Sequence, residues 1–149
     1  MLIQSASGGV GLAAIQVCRI IGAEVNHIRF RVEYMLTIVQ AYCTVEVTSQ
    51  VEYLIELGVP EDRIFYLQDP SLVRNIHKAT YGRGADIVLN TSGDCFHTSW
   101  QCVARFAIMI DLAKYSRTER PASPVNENRM FAAVDLGQIS QQRPEIIQG

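Results

Sequence analysis

The stretch that decides the fold is Leu2-Ile3-Gln4-Ser5-Ala6-Ser7-Gly8-Gly9-Val10-Gly11, which continues into a helix-like pattern up to Val25. A short apolar run leads into a turn of small residues, and Ser5, Gly8 and Gly11 stand at three-residue steps. A dinucleotide-binding turn needs small residues at this spacing, because the backbone approaches a pyrophosphate and the new helix packs against its strand. The N–H groups at the helix start then face the phosphates. This context of strand, turn and helix predicts a dinucleotide-binding turn.

The whole-chain composition is that of one globular domain. The chain has 149 residues, of which 48% are hydrophobic and 19% charged, and its net charge is −2. That charge offers no electrostatic case for nucleic acid or an anionic membrane as partner. The sequence contains no apolar run long enough to span a bilayer and no secretory signal pattern. The four cysteines form no CxxC pair, so we expect free thiols and a cytoplasmic location.

Strand-like and helix-like segments alternate along the chain. Apolar residues at helical spacing predict a first helix over 9–21, ended by Gly22. Further helices are predicted over 49–57, 72–80, 96–103 and 139–147, and strands over 63–66, 85–90, 106–112 and 130–136. A polar loop is predicted over 115–129. This alternation predicts an α/β fold, a Rossmann-type doubly wound parallel sheet that is incomplete at both ends.

The region 25–40 interrupts the alternation. Two segments, 23–30 and 41–47, compete for the second strand, although one βαβ unit needs only one of them. An acidic residue about 20 positions beyond the glycine turn binds ribose hydroxyls in such units, and Glu46 stands 35 positions after Gly11. Removing the 16 residues 25–40 would shorten that separation to 19. We therefore predict an insertion over 25–40.

With these segments in order, the chain resembles the enoyl reductase domain of fungal highly reducing polyketide synthases. That family belongs to the zinc-free branch of the medium-chain dehydrogenase/reductase superfamily. The resemblance is carried by five blocks, namely SASGGVGLAAIQ (5–16), LGVPEDRIF (57–65), GRGADIVLN (82–90), SWQC (99–102) and FAAVDL (131–136). It implies that residues 1–149 are the dinucleotide-binding lobe of such a reductase, without the N-terminal catalytic lobe.

The resemblance also implies the chemistry. The family reduces an α,β-unsaturated thioester on an acyl carrier with NADPH, as part of a multidomain synthase. No metal ligand set is expected, and neither nucleic acid nor a membrane is a predicted partner. A quinone-reductase-like oxidoreductase acting on free small substrates, or a truncated, non-catalytic nucleotide-binding fragment, remain as alternatives.

The turn residues and Glu46 are the candidates for coenzyme binding. Gly8, Gly9, Val10 and Gly11, together with Ser5, are predicted to hold the pyrophosphate. Glu46 stands where the family places the groups that meet the 2′-phosphate of NADPH. An acidic side chain there would repel that phosphate and accept from ribose hydroxyls, so NADH is the alternative coenzyme.

Three further residues follow from the resemblance. Asn90 ends a predicted strand and is a candidate for the nicotinamide side, or else a turn-stabilising residue. The resemblance implies that Lys114 and Asp135 act near the substrate α-carbon, as a proton donor and the carboxylate that orients it. The alternative is a solvated loop lysine and a helix cap.

Overall fold

The computed structural model describes residues 1–26, 41–113 and 128–146. The described strands are all parallel, with helices between them in the chain. In the six-stranded sheet they follow the order β3 (Ile64–Tyr66), β2 (Tyr42–Val45), β1 (Leu2–Ile3), β4 (Ala85–Asn90), β5 (Val103–Asp111) and β6 (Met130–Ala133). The predicted α/β class is confirmed. The chain divides into two compact units, Met1–Leu72 and Val73–Gly149. Among the helices that the structure describes, none combines the length and apolarity needed to cross a membrane.

Within residues 1–26 and 41–71, the first unit contains three strands and two helices. They are β1 (Leu2–Ile3), α1 (Gly9–Asn26), β2 (Tyr42–Val45), α2 (Thr48–Glu56) and β3 (Ile64–Tyr66), with a 3₁₀ turn at Glu61–Arg63. Leu2 pairs with Tyr42, and Cys43 pairs with Ile64. All four residues of β2 are buried. Of the two segments that competed for the second strand, the structure therefore selects the one at 41–47.

Helix α1 differs from the sequence prediction in its length. It passes through Gly22 and ends at Asn26, because a glycine inside a helix costs only about 1 kcal/mol relative to alanine. The first two residues of the predicted insertion, Val25 and Asn26, thus belong to α1, and the rest of that insertion lies outside the described residues.

The buried side of α1 carries Gly11, Ile15 and Cys18, whereas several apolar side chains of the same helix are exposed. The exposed side chains are Val10, Val17, Ile20 and Ile21. Two faces of this helix therefore satisfy the same apolar spacing, and only one of them lies in the core of its unit.

The second unit holds the remaining elements. They are α3 (Leu72–Ala79), which begins at the last residue of the first unit, β4 (Ala85–Asn90), α4 (Phe96–Gln101), β5 (Val103–Asp111), β6 (Met130–Ala133) and α5 (Leu136–Gln142), with 3₁₀ turns at Gly93–Cys95 and Pro144–Ile146. Strand β5 pairs with β4 on one side and with β6 on the other. Strand β4 has the predicted bounds.

Strand β5 starts earlier than predicted and contains a bulge. Its pairing with β4 shifts register between Ala85 and Ile87, and Phe106 has a φ of 62°. Helix α4 ends at Gln101, so the predicted helix over 96–103 is two residues too long. The predicted loop 115–129 lies outside the described residues except for Asn128 and Arg129.

Candidate functional site

The turn between β1 and α1 is held by the neighbouring strand. The backbone N–H of Ser5 donates to the side-chain oxygen of Thr44 at 3.2 Å, and the N–H of Ala6 donates to the carbonyl of the same residue at 3.0 Å. Ser5 itself has a φ of 46°, in the left-handed region where glycine is the favoured residue. The buried Thr44 therefore fixes a turn that the local sequence alone does not favour.

The three glycines of the turn meet different surroundings. A Cβ atom on Gly11 would lie 2.5 to 2.7 Å from the backbone of Ala6, so α1 packs directly on the turn. A Cβ on Gly8 would stand 3.3 Å from the carbonyl oxygen of Ser5, and one on Gly9 would meet nothing within 4 Å. These are the demands of a dinucleotide-binding turn, with close helix packing at the third small residue.

The start of α1 offers backbone donors. Gly8 donates to the carbonyl of Ser5 at 3.0 Å, and Leu12 donates to the carbonyl of Gly8 at 2.9 Å. For the intervening N–H groups of Gly9, Val10 and Gly11 there is no acceptor within the described residues. These donors and the positive end of the helix dipole suit an anion. The turn therefore fits the pyrophosphate of a dinucleotide.

Glu46 follows the last residue of β2, in the same unit as the turn. Its side chain is exposed, and its backbone N–H donates to the side-chain oxygen of Gln50 at 2.7 Å. The N–H of Val47 donates to the same oxygen at 3.3 Å. Gln50 thus fixes the backbone at the entrance of α2, while the carboxylate of Glu46 has no partner in the part of the chain that the structure describes.

Asn90 lies at the carboxyl end of β4 in the second unit, and its side chain is fully buried. Its amide donates to the carboxylate of Asp111 at 2.9 Å, and Asp111 also accepts the N–H of Ala113 at 3.2 Å. The hydroxyl of Ser99 donates to the carbonyl of Cys95 at 2.7 Å and lies 3.4 Å from the Asn90 side-chain oxygen. This buried network ties together the ends of β4, α4 and β5.

Asp135 caps α5. Its side chain is exposed and accepts the N–H of Gln138 at 2.9 Å. The helix consequently begins at Leu136, not at Ile139 as the sequence predicted. The other half of the predicted pair, Lys114, lies outside the described residues.

The described residues contain neither a reactive thiol nor a cluster of metal-binding side chains. All four cysteines are free and buried, and burial raises the pKa of Cys43 and of Cys102 to about 12. Thiols with such pKa values stay protonated and unreactive at neutral pH. Over the same residues, no group of three or more His, Cys, Asp or Glu side chains could hold a metal ion.

The chain is similar in sequence to fungal polyketide synthases. It is 39% identical over 153 residues to a squalestatin hexaketide synthase of Cochliobolus lunatus, covering 99% of the chain and 5% of that protein. It is 41% identical over 150 residues to a highly reducing polyketide synthase of Purpureocillium lilacinum, covering 97% of the chain and 5% of that protein. The chain thus spans only a small part of these synthases.

The comparison with a solved structure indicates which region of a polyketide synthase the chain is similar to. The nucleotide-binding subdomain of the enoyl reductase domain of PpsC from Mycobacterium tuberculosis superimposes with a TM-score of 0.76 and 26% identity, covering 99% of the chain and 74% of that structure. The chain is a relative of polyketide synthase enoyl reductase domains. The resemblance predicted from five sequence blocks is thereby confirmed. No family model matches the sequence.

Proposed function

We propose that residues 1–149 form the dinucleotide-binding lobe of an enoyl reductase, which reduces an α,β-unsaturated acyl thioester in cytoplasmic polyketide biosynthesis. The observation that supports this proposal is the turn, which combines the left-handed Ser5, the tightly packed Gly11 and N–H groups at the start of α1 that have no acceptor among the described residues. The similarity to polyketide synthases supports an acyl-carrier-bound substrate and the rest of a multidomain synthase as partners.

In this proposal each part of the turn has a separate task. The N–H groups of Gly9, Val10 and Gly11 bind the pyrophosphate, and the space beyond Gly9 admits it. Thr44 holds the turn in place from β2. A bound NADPH supplies the hydride, and Lys114 with Asp135 serves protonation of the α-carbon.

Glu46, which directly follows β2, favours NADH as an alternative to NADPH. The exposed carboxylate of Glu46 is suited to accept hydrogen bonds from the 2′- and 3′-hydroxyls of NADH. The 2′-phosphate of NADPH carries up to about two negative charges, and a unit charge at about 4 Å costs roughly 1–2 kcal/mol against it in water. NADH is therefore the second candidate.

Calorimetric titration of the chain with NADPH and with NADH tests the coenzyme proposal. We expect Glu46→Gln to raise the affinity for NADPH relative to NADH by about tenfold, because a repulsion of 1–2 kcal/mol is removed. Glu52→Gln is the matched control, since Glu52 is an exposed carboxylate on α2. An unchanged ratio in Glu46→Gln would show that this carboxylate does not face the adenosine ribose.

A second substitution tests the turn itself. The Cβ atom of Gly9→Val would stand where nothing lies within 4 Å beyond its chain neighbours and its own helix backbone, so we expect the side chain to obstruct a ligand and not to disturb the protein. We expect both coenzymes to lose binding while the far-ultraviolet circular dichroism stays that of the parent chain. Binding of both at parental affinity would remove the turn from the site.

A further inference from the structure

The second unit contains a cavity at the amino ends of its strands. A cavity of about 430 Å³ is lined by His77, Gly82, Arg83, Asp86, Arg105 and Arg129, and we call it the basic cavity. Asp86 is the second residue of β4, Arg105 the third of β5, and Arg129 directly precedes β6. Ligands of open α/β sheets bind outside the carboxyl ends of the strands, so this cavity occupies the opposite edge.

The basic cavity gathers positive charge in a chain that is negative overall. Three guanidinium groups and one carboxylate line it, whereas the chain has a net charge of −2. Arg83 and Arg105 are exposed and, over the described residues, neither guanidinium has a hydrogen bond or ion pair. Two cations without an ion-pair contact among the described residues therefore line the same cavity as Arg129 and the carboxylate of Asp86.

The surrounding structure holds the cavity walls. Arg129 donates to the carbonyl of Trp100 at 3.2 Å, and its guanidinium lies 5.6 Å from the ring centroid of that residue. The two ring nitrogens of His77 lie 3.2 and 3.1 Å from the carbonyl oxygens of Gly82 and Gln101. His77 thus ties the turn after α3 to the end of α4, and the walls are positioned before any ligand arrives.

We propose that the basic cavity binds a phosphate-bearing small molecule. Guanidinium groups pair well with phosphate oxygens, and a phosphate offers three acceptor oxygens to groups that approach from separate elements. A planar carboxylate matches only one guanidinium fork at a time. In this proposal the carboxylate of Asp86, which also lines the cavity, accepts a hydrogen bond from a hydroxyl of the same ligand. The volume suits a small ligand, and the proposal does not depend on the coenzyme proposal.

Titration of the ¹⁵N-labelled chain with pyrophosphate, followed by nuclear magnetic resonance, separates the two sites in one experiment. The amides of Gly82 and Gly84 report on the basic cavity, and those of Gly9 and Gly11 report on the coenzyme turn. We expect a saturable shift of Gly82 and Gly84 at millimolar pyrophosphate, and weaker binding at higher salt. A shift confined to Gly9 and Gly11 overturns the proposal.

Charge variants decide whether the cavity is a specific site. Arg83→Gln and Arg105→Gln should each weaken pyrophosphate binding at Gly82 by about tenfold, the effect of one charge-assisted hydrogen bond. Lys78→Gln is the matched control, because Lys78 is an exposed cation on α3 that does not line the cavity. An equal loss in Lys78→Gln, or equally tight binding of succinate by the parent chain, would overturn the proposal.

Discussion

The close contact between α1 and the turn before it predicts opposite effects for two glycine-to-alanine substitutions. A Cβ on Gly11 would stand 2.5 Å from the Cα, 2.6 Å from the oxygen and 2.7 Å from the carbonyl carbon of Ala6. Carbon atoms make favourable contact at about 3.5–4.0 Å, so the helix and the turn must separate by roughly 1 Å. A Cβ on Gly9 meets nothing within 4 Å, so Gly9→Ala is the matched control.

The two substitutions are expected to change the free energy of unfolding in opposite directions. Forcing extra atoms into a packed site costs about 1–3 kcal/mol, and alanine regains at most about 1 kcal/mol of helix propensity over glycine. We therefore expect Gly11→Ala to lower the free energy of unfolding by about 1–2 kcal/mol. Gly9→Ala pays no packing cost and should raise it by a few tenths of a kcal/mol, since it lies at the first helical position.

Urea unfolding followed by far-ultraviolet circular dichroism measures both variants against the parent chain. Equal slopes of the free energy against urea concentration would confine the difference to stability. The same preparations titrated with NADPH show whether separating the helix from the turn also weakens the pyrophosphate site. If Gly11→Ala were as stable as Gly9→Ala, the helix would not rest on the turn as described, and the steric reason for Gly11 would be refuted.

The remaining predictions concern the cap of α5 and the buried thiols. Asp135→Asn keeps a side-chain acceptor for the helix N-terminus, so its thermal stability should match the parent, whereas Asp135→Ala should cost about 1 kcal/mol. If Asp135 also orients the proton donor, Asp135→Asn joined to a matching N-terminal lobe will lose turnover of a crotonyl thioester, and parental turnover would leave only the capping role. Burial raises the pKa of Cys43 and Cys102 to about 12, so the folded state keeps these protons while the unfolded state loses them above pH 9. The free energy of unfolding should therefore fall from pH 9 towards pH 12, and mass spectrometry should find both thiols unalkylated by iodoacetamide at pH 8 until the chain unfolds.

The sequence was sufficient where local signals and tertiary packing agree. Strand β4 was predicted with its observed bounds, because a buried apolar run stands between a glycine-containing turn and a polar turn. The start of α1 at Gly9 follows from the helical spacing of apolar residues after the turn.

The errors arose where distant residues decide the structure. The spacing of Val10 and Val17 fits a helix as well as that of Gly11 and Cys18, and periodicity does not say which face is buried. The role of Thr44 depends on a pairing 39 residues away from Ser5. The sequence signal for this role is that Thr44 is a polar residue within the apolar strand β2. The prediction that Gly22 ends α1 is wrong, because the cost of one glycine is small enough for the rest of the helix to outweigh it.

The bulge in β5 separates two parts of that strand that are held by different numbers of neighbouring strands. Ile108–Asp111 is paired on both sides, with β4 and with β6, which fixes its register. Residues 104–107 lie in the register shift and are not held in this way. An insertion or deletion there changes the wall of the basic cavity at Arg105, yet leaves Asp111 beside Asn90. A change of length at 104–107 would thus alter one end of the sheet, while pairing on both sides keeps the geometry of the other end.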